Sequence, residues 1–401
     1  MPSRRNGVIL FANYFLLFSS FAILAPYLQL YLSARGFSPS RIGLLLGILE
    51  LAGITGPILL SRLADSRTAY RSLLAGALAV SVVSFVPLQL TTLFPVYAFC
   101  LALMGFSYRS TAPLLDSAVS RLLSDPRRQY GRFRVAGSIG FIVVSLFLLF
   151  SGFVSSDSPL SILAAFGLSA MLASGAALLL PAVPKMPPRT RPETESRWKP
   201  DSAFGLGFWV VIGVVFLGRF GMGAYYSFFS LYLRDTFAET YPSAGGSSVV
   251  SMMWALGSMA EIATMWFSGR LIRRWGLQTM LIVSFAAITL RLGLFVLAPS
   301  LAVIAFAQLL HALTFGTFHT TAVAYVNARI PAERRGLGMA IYNAIGIGLA
   351  SFVASFVGGY ILEAHGYGAL FLSYAAVPLG GIAILAVFGR RLFPRVPANT
   401  G

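Results

Sequence analysis

Long apolar stretches recur along the whole chain, and short segments rich in Gly, Pro or Arg separate one from the next. About 20 consecutive apolar residues are enough for one α-helix to cross the hydrocarbon core of a bilayer. Of the 401 residues, 57% are hydrophobic and only 11% are charged, which is too few to cover the surface of a water-soluble domain. The pattern therefore predicts an all-α, polytopic membrane protein.

The apolar windows and the turn signals between them predict twelve transmembrane helices. The six helices of the first half are predicted near 7–33, 40–64, 70–91, 95–121, 130–152 and 160–183. The six helices of the second half are predicted near 204–233, 247–268, 277–297, 300–327, 336–362 and 367–389. One crossing with its loop takes about 30 to 35 residues, so the chain length also accommodates twelve crossings.

A Pro-rich, charged segment separates the two halves of the chain. Residues 184–201 have the sequence PKMPPRTRPETESRWKPD and no apolar periodicity, which predicts a cytoplasmic linker over 184–203. The predicted domains are a six-helix bundle over 1–183 and a second six-helix bundle with a short tail over 204–401. The tripeptide Leu-Tyr-Leu occurs at 30–32 and again at 231–233, near the ends of the first and seventh helices. Two such pseudo-repeats are typical of duplicated transporters.

The basic residues indicate which side of the membrane each loop occupies. A formal charge of +17 would suit a nucleic-acid partner, but the Lys and Arg residues form short clusters between the apolar stretches. Only Arg35, Arg41 and Arg234 fall in the loops that are extracytoplasmic when the N-terminus is cytoplasmic. The positive-inside rule therefore predicts that the protein lies in the cell (inner) membrane with both termini in the cytoplasm. Because this rule accounts for the basic clusters, we predict no nucleic-acid partner. The first apolar stretch exceeds a signal-peptide core, which predicts a retained helix.

Sequence features of enzymes are missing from the chain. Cys100 is the single cysteine, so a disulfide within the chain is excluded. We find no GxxxxGK[ST] phosphate loop and no HExxH motif, and the three histidines are not at metal-ligand spacing. We therefore predict no enzymatic activity, no cofactor and no metal, and regard a membrane enzyme, a receptor or a scaffold as less favoured alternatives.

Ionisable residues inside the predicted helices point to function. Each costs about 2.5 to 3.5 kcal/mol near the bilayer centre, so it needs a partner, a water-filled cavity or a functional role. The candidates are Glu50, Arg109, Asp116, Arg134, Arg219, Glu261, Arg291, His311 and His319. Asp116 and Arg134 are expected at similar depth on adjacent helices, where they could form an ion pair. Glu261, Arg219 and His311 are expected near the midplane, as in a proton relay or an anion site, although structural ion pairs and a packing histidine are the alternatives.

Two loop segments carry a recognisable motif. Gly269-x-Leu271-x-x-Arg274-x-Gly276, and the weaker Leu63-Ala64-Asp65 followed by Arg67 and Arg71, resemble the cytoplasmic loop motif of the major facilitator superfamily. The resemblance implies a cytoplasmic gate in which an acid and nearby arginines latch helix ends, with Asp65, Arg67, Arg71, Gly269, Arg274 and Gly276 as its residues. The motif departs from the family pattern at Ser61, Ser66 and Ile272.

A narrower resemblance covers most of the chain. Asp116 and Arg134 are eighteen positions apart and are followed by Gly137-Ser138-Ile139-Gly140-Phe141, which resembles the sugar-binding segment of the lactose permease branch. Arg291, His311 and Glu261 resemble the proton site of that branch, while the strings around Trp254–Ile262 and Gln308–Ala312 resemble the phenylpropionate permease branch still more. The resemblance implies solute binding by Asp116, Arg134 and Phe141, and proton coupling by Glu261, Arg291 and His311. An acid of the permease is replaced here by Thr314.

These observations predict a monomeric secondary transporter for a small organic solute, by proton-coupled symport with alternating access between the two halves. Aromatic carboxylates, saccharides and nucleosides all remain candidate solutes, and the intramembrane arginines favour an anion slightly. Glu50 and Arg219 are added to the predicted substrate-binding residues, and His319 is added to the proton-coupling residues. The alternative is a proton-driven drug or metabolite efflux antiporter, although the predicted fifth helix lacks the Gly-Pro pair typical of that class.

Overall fold

The computed structural model describes residues 4–155, 158–184, 204–237, 247–331 and 334–393, without the side chains of 126–128, 263, 265, 266, 268 and 390. These ranges consist of helices joined by short turns, with no strand among them. Residues 185–203 of the predicted linker and the tail from 394 lie outside the described residues. The all-α prediction is confirmed for the part of the chain that the structure describes.

The helix bounds follow the apolar stretches of the sequence closely. The α-helices are α1 (Arg4–Ala34), α2 (Pro39–Arg67), α3 (Tyr70–Val83), α4 (Pro87–Leu90), α5 (Phe94–Tyr108), α6 (Thr111–Leu122), α7 (Pro126–Ser151), α8 (Pro159–Leu178), α9 (Leu206–Phe237), α10 (Ser247–Leu297), α11 (Leu301–Leu309), α12 (Thr317–Arg329), α13 (Arg335–Ile341) and α14 (Ala350–Leu392). Two π-helical segments, Ala312–Gly316 and Tyr342–Leu349, lie between α11 and α12 and between α13 and α14.

Within the described ranges, nine helical stretches are long and apolar enough to cross a membrane. The last of them, Arg335–Gly389, spans 55 residues and contains Gly366 at a φ of 77°, which interrupts the helix between the predicted eleventh and twelfth crossings. Gly276, at a φ of 78°, likewise interrupts α10 in the predicted loop between the eighth and ninth crossings. Glycine has no Cβ, so it adopts these left-handed values without the penalty that other residues meet.

The structure divides into two compact units, and the division of the sequence into two bundles stays a prediction. Unit 1 comprises Met1–Lys185, Tyr226–Ala255 and Ser355–Glu363. Its interior is formed by α1 against α7 and α8, α2 against α5, and α3 against α8 and α5. Helices in a bilayer associate through close packing and polar contacts rather than hydrophobic burial, which explains why glycines and hydroxyl side chains lie at these contacts.

Gly105 lies at the contact between α2 and α5, and its substitution should destabilise unit 1. A Cβ at this position would overlap the backbone of Leu49, which cannot move as a flexible side chain could. We expect Gly105→Ala to lower the free energy of unfolding in mixed micelles by about 1 to 3 kcal/mol, the usual cost of overpacking. The matched control is Gly76→Ala in α3, where a Cβ meets nothing within 4 Å. Equal stability of the two variants would contradict this packing.

Unit 2 comprises Met186–Tyr225, Leu256–Ala354 and Ala364–Gly401. Polar side chains join its helices by donating to backbone carbonyls: Ser284 to Thr314 at 2.9 Å, Thr289 to Ala375 at 2.8 Å and Gln278 to Leu385 at 2.9 Å. Such interhelical hydrogen bonds satisfy polar groups that would otherwise face an apolar interior. These bonds hold α10 in fixed register with α14 and with the π-helical segment Ala312–Gly316. They thereby position the buried side chains of this unit.

Candidate functional site

The first polar cluster, which we call the Tyr14 cluster, lies within unit 1 on α1, α6 and α7. The hydroxyl of Tyr14 donates a 2.7 Å hydrogen bond to Asp116 Oδ1. The guanidinium carbon of Arg134 lies 4.0 Å from the ring centroid of Phe18 and 5.9 Å from that of Tyr14. The ring of Tyr130 meets Tyr14 edge-on at 6.4 Å. One acid and one guanidinium are thus held on an aromatic surface.

Tyr14 connects the two residues that were predicted to form an ion pair. No ion pair joins Asp116 to Arg134, although both side chains are described. Arg134 instead stacks on the ring of Phe18, where a cation is attracted to the aromatic face. Gly137 leaves room for this arrangement, because a Cβ there would come within 3.0 Å of Arg134 Nη1. The two charged groups are therefore held by different neighbours and not by each other.

Phe141 follows Arg134 by seven positions on α7 and is half-buried. Residues seven apart lie on nearly the same face of a helix, so Phe141 and Arg134 share a face two turns apart. Its contribution to a solute site stays a prediction.

The second cluster, which we call the Arg291 cluster, lies within unit 2. Arg291 Nη1 is 2.9 Å from His311 Nδ1, and Arg291 Nη2 donates a 2.6 Å hydrogen bond to Gln308 Oε1. The ring of Tyr225 lies 3.8 Å from the guanidinium carbon. On the far side of the imidazole, His311 Nε2 is 3.7 Å from Glu261 Oε2. Glu261, His311 and Arg291 therefore form a continuous polar chain.

Local helix geometry positions His311 within this cluster. It directly precedes the π-helical segment Ala312–Gly316. Thr314, which stands where the permease has an acid, donates to the carbonyl of His311 at 3.1 Å and lies 3.1 Å from its Nδ1. A π-helical turn widens the helix by one residue and is frequent at functional sites. Here it accompanies a side chain that contacts both a cation and an acid.

Two further predicted residues have polar neighbours elsewhere in unit 2. Arg219 Nε donates a 2.8 Å hydrogen bond to Ser351 Oγ. His319 Nδ1 lies 2.7 Å from the hydroxyl of Tyr342, the residue at which the second π-helical segment begins. Both lie within the same unit as the Arg291 cluster, but the described contacts of that cluster do not include them. Their predicted roles in substrate binding and proton coupling stay predictions.

Glu50 forms an ion pair with Arg109 between α2 and the end of α5. This pairing gives Glu50 a structural role that is sufficient to explain an acid in a membrane helix. Glu50→Gln should lower the thermal unfolding temperature, because it leaves a half-buried guanidinium without its counter-ion. The charge exchange Glu50→Arg with Arg109→Glu should recover most of the loss while substrate affinity stays unchanged. A change in substrate affinity at equal stability would instead place Glu50 in the solute site, as the sequence predicted.

The residues of the predicted cytoplasmic gate have distinct surroundings. Asp65 accepts hydrogen bonds from the Tyr70 hydroxyl and, at 2.5 Å, from Arg121 Nη2. Arg71 donates to the carbonyl of Leu178, whereas the exposed Arg67 ends α2. In the second copy of the motif, Gly276 interrupts α10, and Gly269 and Arg274 are exposed. Their role as a gate stays a prediction.

The sequence analysis does not include three side chains that the structure places at these sites: Tyr14 and Gln308 in the two clusters, and Arg121 beside Asp65. Tyr14 and Gln308 carry no charge, so the search for ionisable residues in apolar helices passed over them. Gln308 did offer a signal, since an amide three residues before His311 interrupts an apolar run. Arg121 is the last residue of the predicted fourth helix, and in the structure it pairs with Asp65.

The sequence profile described as "MFS_1 like family" matches residues 8–373. The chain belongs to this family. It is therefore a major facilitator superfamily (MFS) transporter and a multi-pass integral membrane protein of the inner membrane, and it is not an enzyme.

This MFS transporter has relatives that match over nearly their full length. It is 28% identical over 381 residues to the "Probable 3-phenylpropionic acid transporter" of Escherichia coli (strain K12), covering 91% of this chain and 94% of the relative. It is 25% identical over 380 residues to the "Maltose permease" of Geobacillus stearothermophilus, covering 94% and 93%. The crystal structure of the nucleoside transporter NupG superposes with a TM-score of 0.79 at 18% identity, covering 96% and 99%, which shows the shared fold.

Proposed function

We propose that this MFS transporter is a proton-coupled symporter that takes up a small organic solute by alternating access. It crosses the membrane twelve times, with α10 and α13–α14 each providing two crossings and with both termini in the cytoplasm. The observation that carries the proposal is the chain of contacts from Glu261 through His311 to Arg291. A carboxylate beside an imidazole in a membrane interior has the components needed to bind and release a proton.

Glu261 is the proton carrier in this mechanism. Its side chain is 20% exposed, whereas the adjoining His311 side chain is only 7% exposed, so Glu261 is the more accessible of the two groups. Arg291 contacts the opposite side of the His311 ring and fixes the orientation of the imidazole toward Glu261. Binding of a proton removes one charge from the interior, which allows the loaded transporter to change conformation at a lower cost.

The Tyr14 cluster binds the solute. Asp116 accepts hydrogen bonds from solute hydroxyl or amine groups, and Arg134 donates to solute oxygens. The rings of Tyr14, Phe18 and Tyr130 supply an apolar surface beside these two groups. The combination suits the solutes named for the relatives, because a phenyl group, a sugar ring and a nucleobase all pack against aromatic side chains.

Contacts within unit 1 support alternating access. Segments 226–255 and 355–363 of the second half belong to this unit together with the first-half helices. Ser40 N–H donates to Glu363 at 2.8 Å, Arg234 donates to Ser33 at 3.0 Å, and the backbones at Gly43 and Gly359 approach too closely for a Cβ on either residue. These contacts lie at the predicted extracytoplasmic helix ends. The outward-open state must break them.

Counterflow in proteoliposomes tests the proposed transport activity without any assumption about protons. Vesicles are loaded with unlabelled 3-phenylpropionate, maltose or uridine and diluted into the same labelled solute. We expect transient accumulation of label with one of the three classes, because exchange requires only recognition and alternation. Vesicles that contain the charge-deleted variant Asp116→Asn with Arg134→Gln should show none. Failure of all three solutes with the wild-type protein would contradict uptake of these classes.

A further inference from the structure

Arg291 carries a positive charge in the interior of unit 2 without an acid beside it. The residue is 2% exposed, and its described contacts are to His311, Gln308 and Tyr225. Within the described ranges, none of the ion pairs involves Arg291. A buried charge is strongly destabilising unless an opposite charge compensates for it. Glu261, the acid of this cluster, is separated from Arg291 by the His311 ring, so Arg291 lacks a carboxylate in direct contact.

His311 does not provide that compensation. A guanidinium can only donate hydrogen bonds, so His311 Nδ1, at 2.9 Å from Arg291 Nη1, must act as the acceptor. The ring proton is then on Nε2, which faces Glu261 at 3.7 Å. An imidazole with one acceptor nitrogen and one donor nitrogen is neutral. The ring therefore orders Arg291 and Glu261 but leaves the charge of Arg291 in place.

Unused hydrogen-bond donors surround the same charge. Arg291 Nε and Gln308 Nε2 are both buried and have no hydrogen-bond acceptor among the described residues. Gln308 is 0% exposed, and its other amide atom, Oε1, is already held by Arg291. Buried N–H groups nearly always have acceptors in native proteins, because an unmade bond is costly. An amide and a guanidinium in contact, each with an unused donor, require an acceptor that this part of the chain does not supply.

Gly257 of α10 packs closely against these groups. A Cβ at this position would lie 3.2 Å from Gln308 Oε1 and 3.4 Å from His311 Cδ2. Any residue larger than glycine would therefore press on the amide and the imidazole. The absence of a side chain at Gly257 therefore lets α10 approach the amide and the imidazole without displacing them.

We propose that Arg291 and Gln308 form a subsite for a carboxylate group of the transported solute. This inference rests on the proposed function and narrows its substrate class to small organic anions. A carboxylate supplies one negative charge and two oxygen acceptors, which match the guanidinium that no acid contacts directly and the unused N–H groups. A hydroxyl group of a sugar or a nucleoside would satisfy a donor but leave the charge of Arg291 uncompensated.

The inference predicts how binding should depend on the charge of the ligand. The test uses the purified full-length transporter and three carboxylates, 3-phenylpropionate, benzoate and hexanoate, each paired with its primary amide. The two ligands of a pair share one carbon skeleton and differ in charge. Hydrogen bonds to charged groups predict that at least one carboxylate binds about tenfold to a hundredfold more tightly than its amide. The ratio of the two affinities is insensitive to the fraction of protein that is folded.

Two variants of Gln308 test whether the preference for carboxylate over amide depends on this subsite. Gln308→Leu removes the amide donors at similar size and should reduce the carboxylate-to-amide ratio about tenfold. Gln308→Glu gives Arg291 an internal counter-ion and should abolish carboxylate binding without lowering the thermal unfolding temperature. The matched control is Gln278→Leu, which makes the same substitution in unit 2 but outside the Arg291 cluster. The Nε2 of Gln278 donates to the carbonyl of Leu385. Gln278→Leu should keep the ratio of the wild-type protein.

The outcomes separate this inference from the proposed function. The subsite is contradicted if the wild-type protein binds none of the three carboxylates more tightly than the corresponding amide. It is also contradicted if both Gln308 variants keep the wild-type preference for carboxylate over amide. If either of these results is found but maltose or uridine shows counterflow, the proposed transport activity is supported and only the carboxylate subsite is refuted. Carboxylate binding that depends on Gln308 supports the subsite even where counterflow fails.

Discussion

Replacement of Glu261 by glutamine is expected to abolish uphill accumulation of the solute while counterflow continues. Glutamine has nearly the shape of glutamic acid and mimics its protonated form, but it cannot release a proton. Exchange of internal for external solute needs no deprotonation, whereas net uptake requires the empty carrier to return without its proton. Glu261 lies 3.7 Å from His311 Nε2, and a glutamine amide can keep this contact. Fold and solute binding should therefore survive.

The measurement compares two assays on the same proteoliposomes. With an imposed pH gradient, the Glu261→Gln transporter should take up solute only to passive equilibrium, and its counterflow rate should stay within a few fold of the wild-type rate. The matched control is Glu363→Gln, since Glu363 is exposed and a glutamine oxygen can still accept from the Ser40 N–H. This control should accumulate solute normally. Undiminished accumulation by Glu261→Gln would show that the proton is carried elsewhere.

Replacement of Asp116 by asparagine is expected to raise the half-saturating solute concentration by about tenfold to a hundredfold. Asp116 is the carboxylate of the Tyr14 cluster, and hydrogen bonds to a charged acceptor contribute roughly 1.5 to 3 kcal/mol each. The Tyr14 hydroxyl, which donates to Asp116 Oδ1 at 2.7 Å, can still donate to the asparagine oxygen. The loss should therefore appear in affinity and leave the thermal unfolding temperature nearly unchanged.

Counterflow at graded solute concentrations measures this effect. Asp235→Asn is the matched control, because Asp235 pairs with the adjacent Arg234 and lies outside both clusters. Its half-saturating concentration should equal that of the wild-type protein. Tyr14→Phe should produce an intermediate loss, since the ring remains under Arg134 while the hydrogen bond to Asp116 is removed. An unchanged half-saturating concentration in Asp116→Asn would exclude Asp116 from the solute site.

The sequence predicted the helices well because the membrane imposes a simple rule on each apolar stretch. Breaks inside the long helices at Gly276 and Gly366 were also readable, since both glycines fall in predicted loops. The break at Arg109 and Ser110, between α5 and α6, was missed. Pro113 marks it in the sequence, because a proline has no N–H to donate to the carbonyl four residues earlier, which here belongs to Arg109.

The candidate sites were predictable where depth in the membrane decides which side chains meet. Glu261 and His311 were placed near one depth by counting residues, and the structure brings them within 3.7 Å. Depth alone does not give the rotation of a helix about its axis. This is why Asp116 and Arg134 share a cluster without forming an ion pair, and why Tyr14 between them was not foreseen. The π-helical segment after His311 likewise leaves no mark in the apolar pattern.

Coupling of the solute to protons is the central claim, and solute-induced proton movement tests it most directly. The transporter in de-energised proteoliposomes is exposed to the solute that supports counterflow, and the external pH is recorded in weakly buffered medium. Symport predicts an external alkalinisation on addition of the solute, which a protonophore abolishes and which Glu261→Gln does not produce. External acidification would indicate antiport, and solute entry without any pH change would contradict proton coupling altogether.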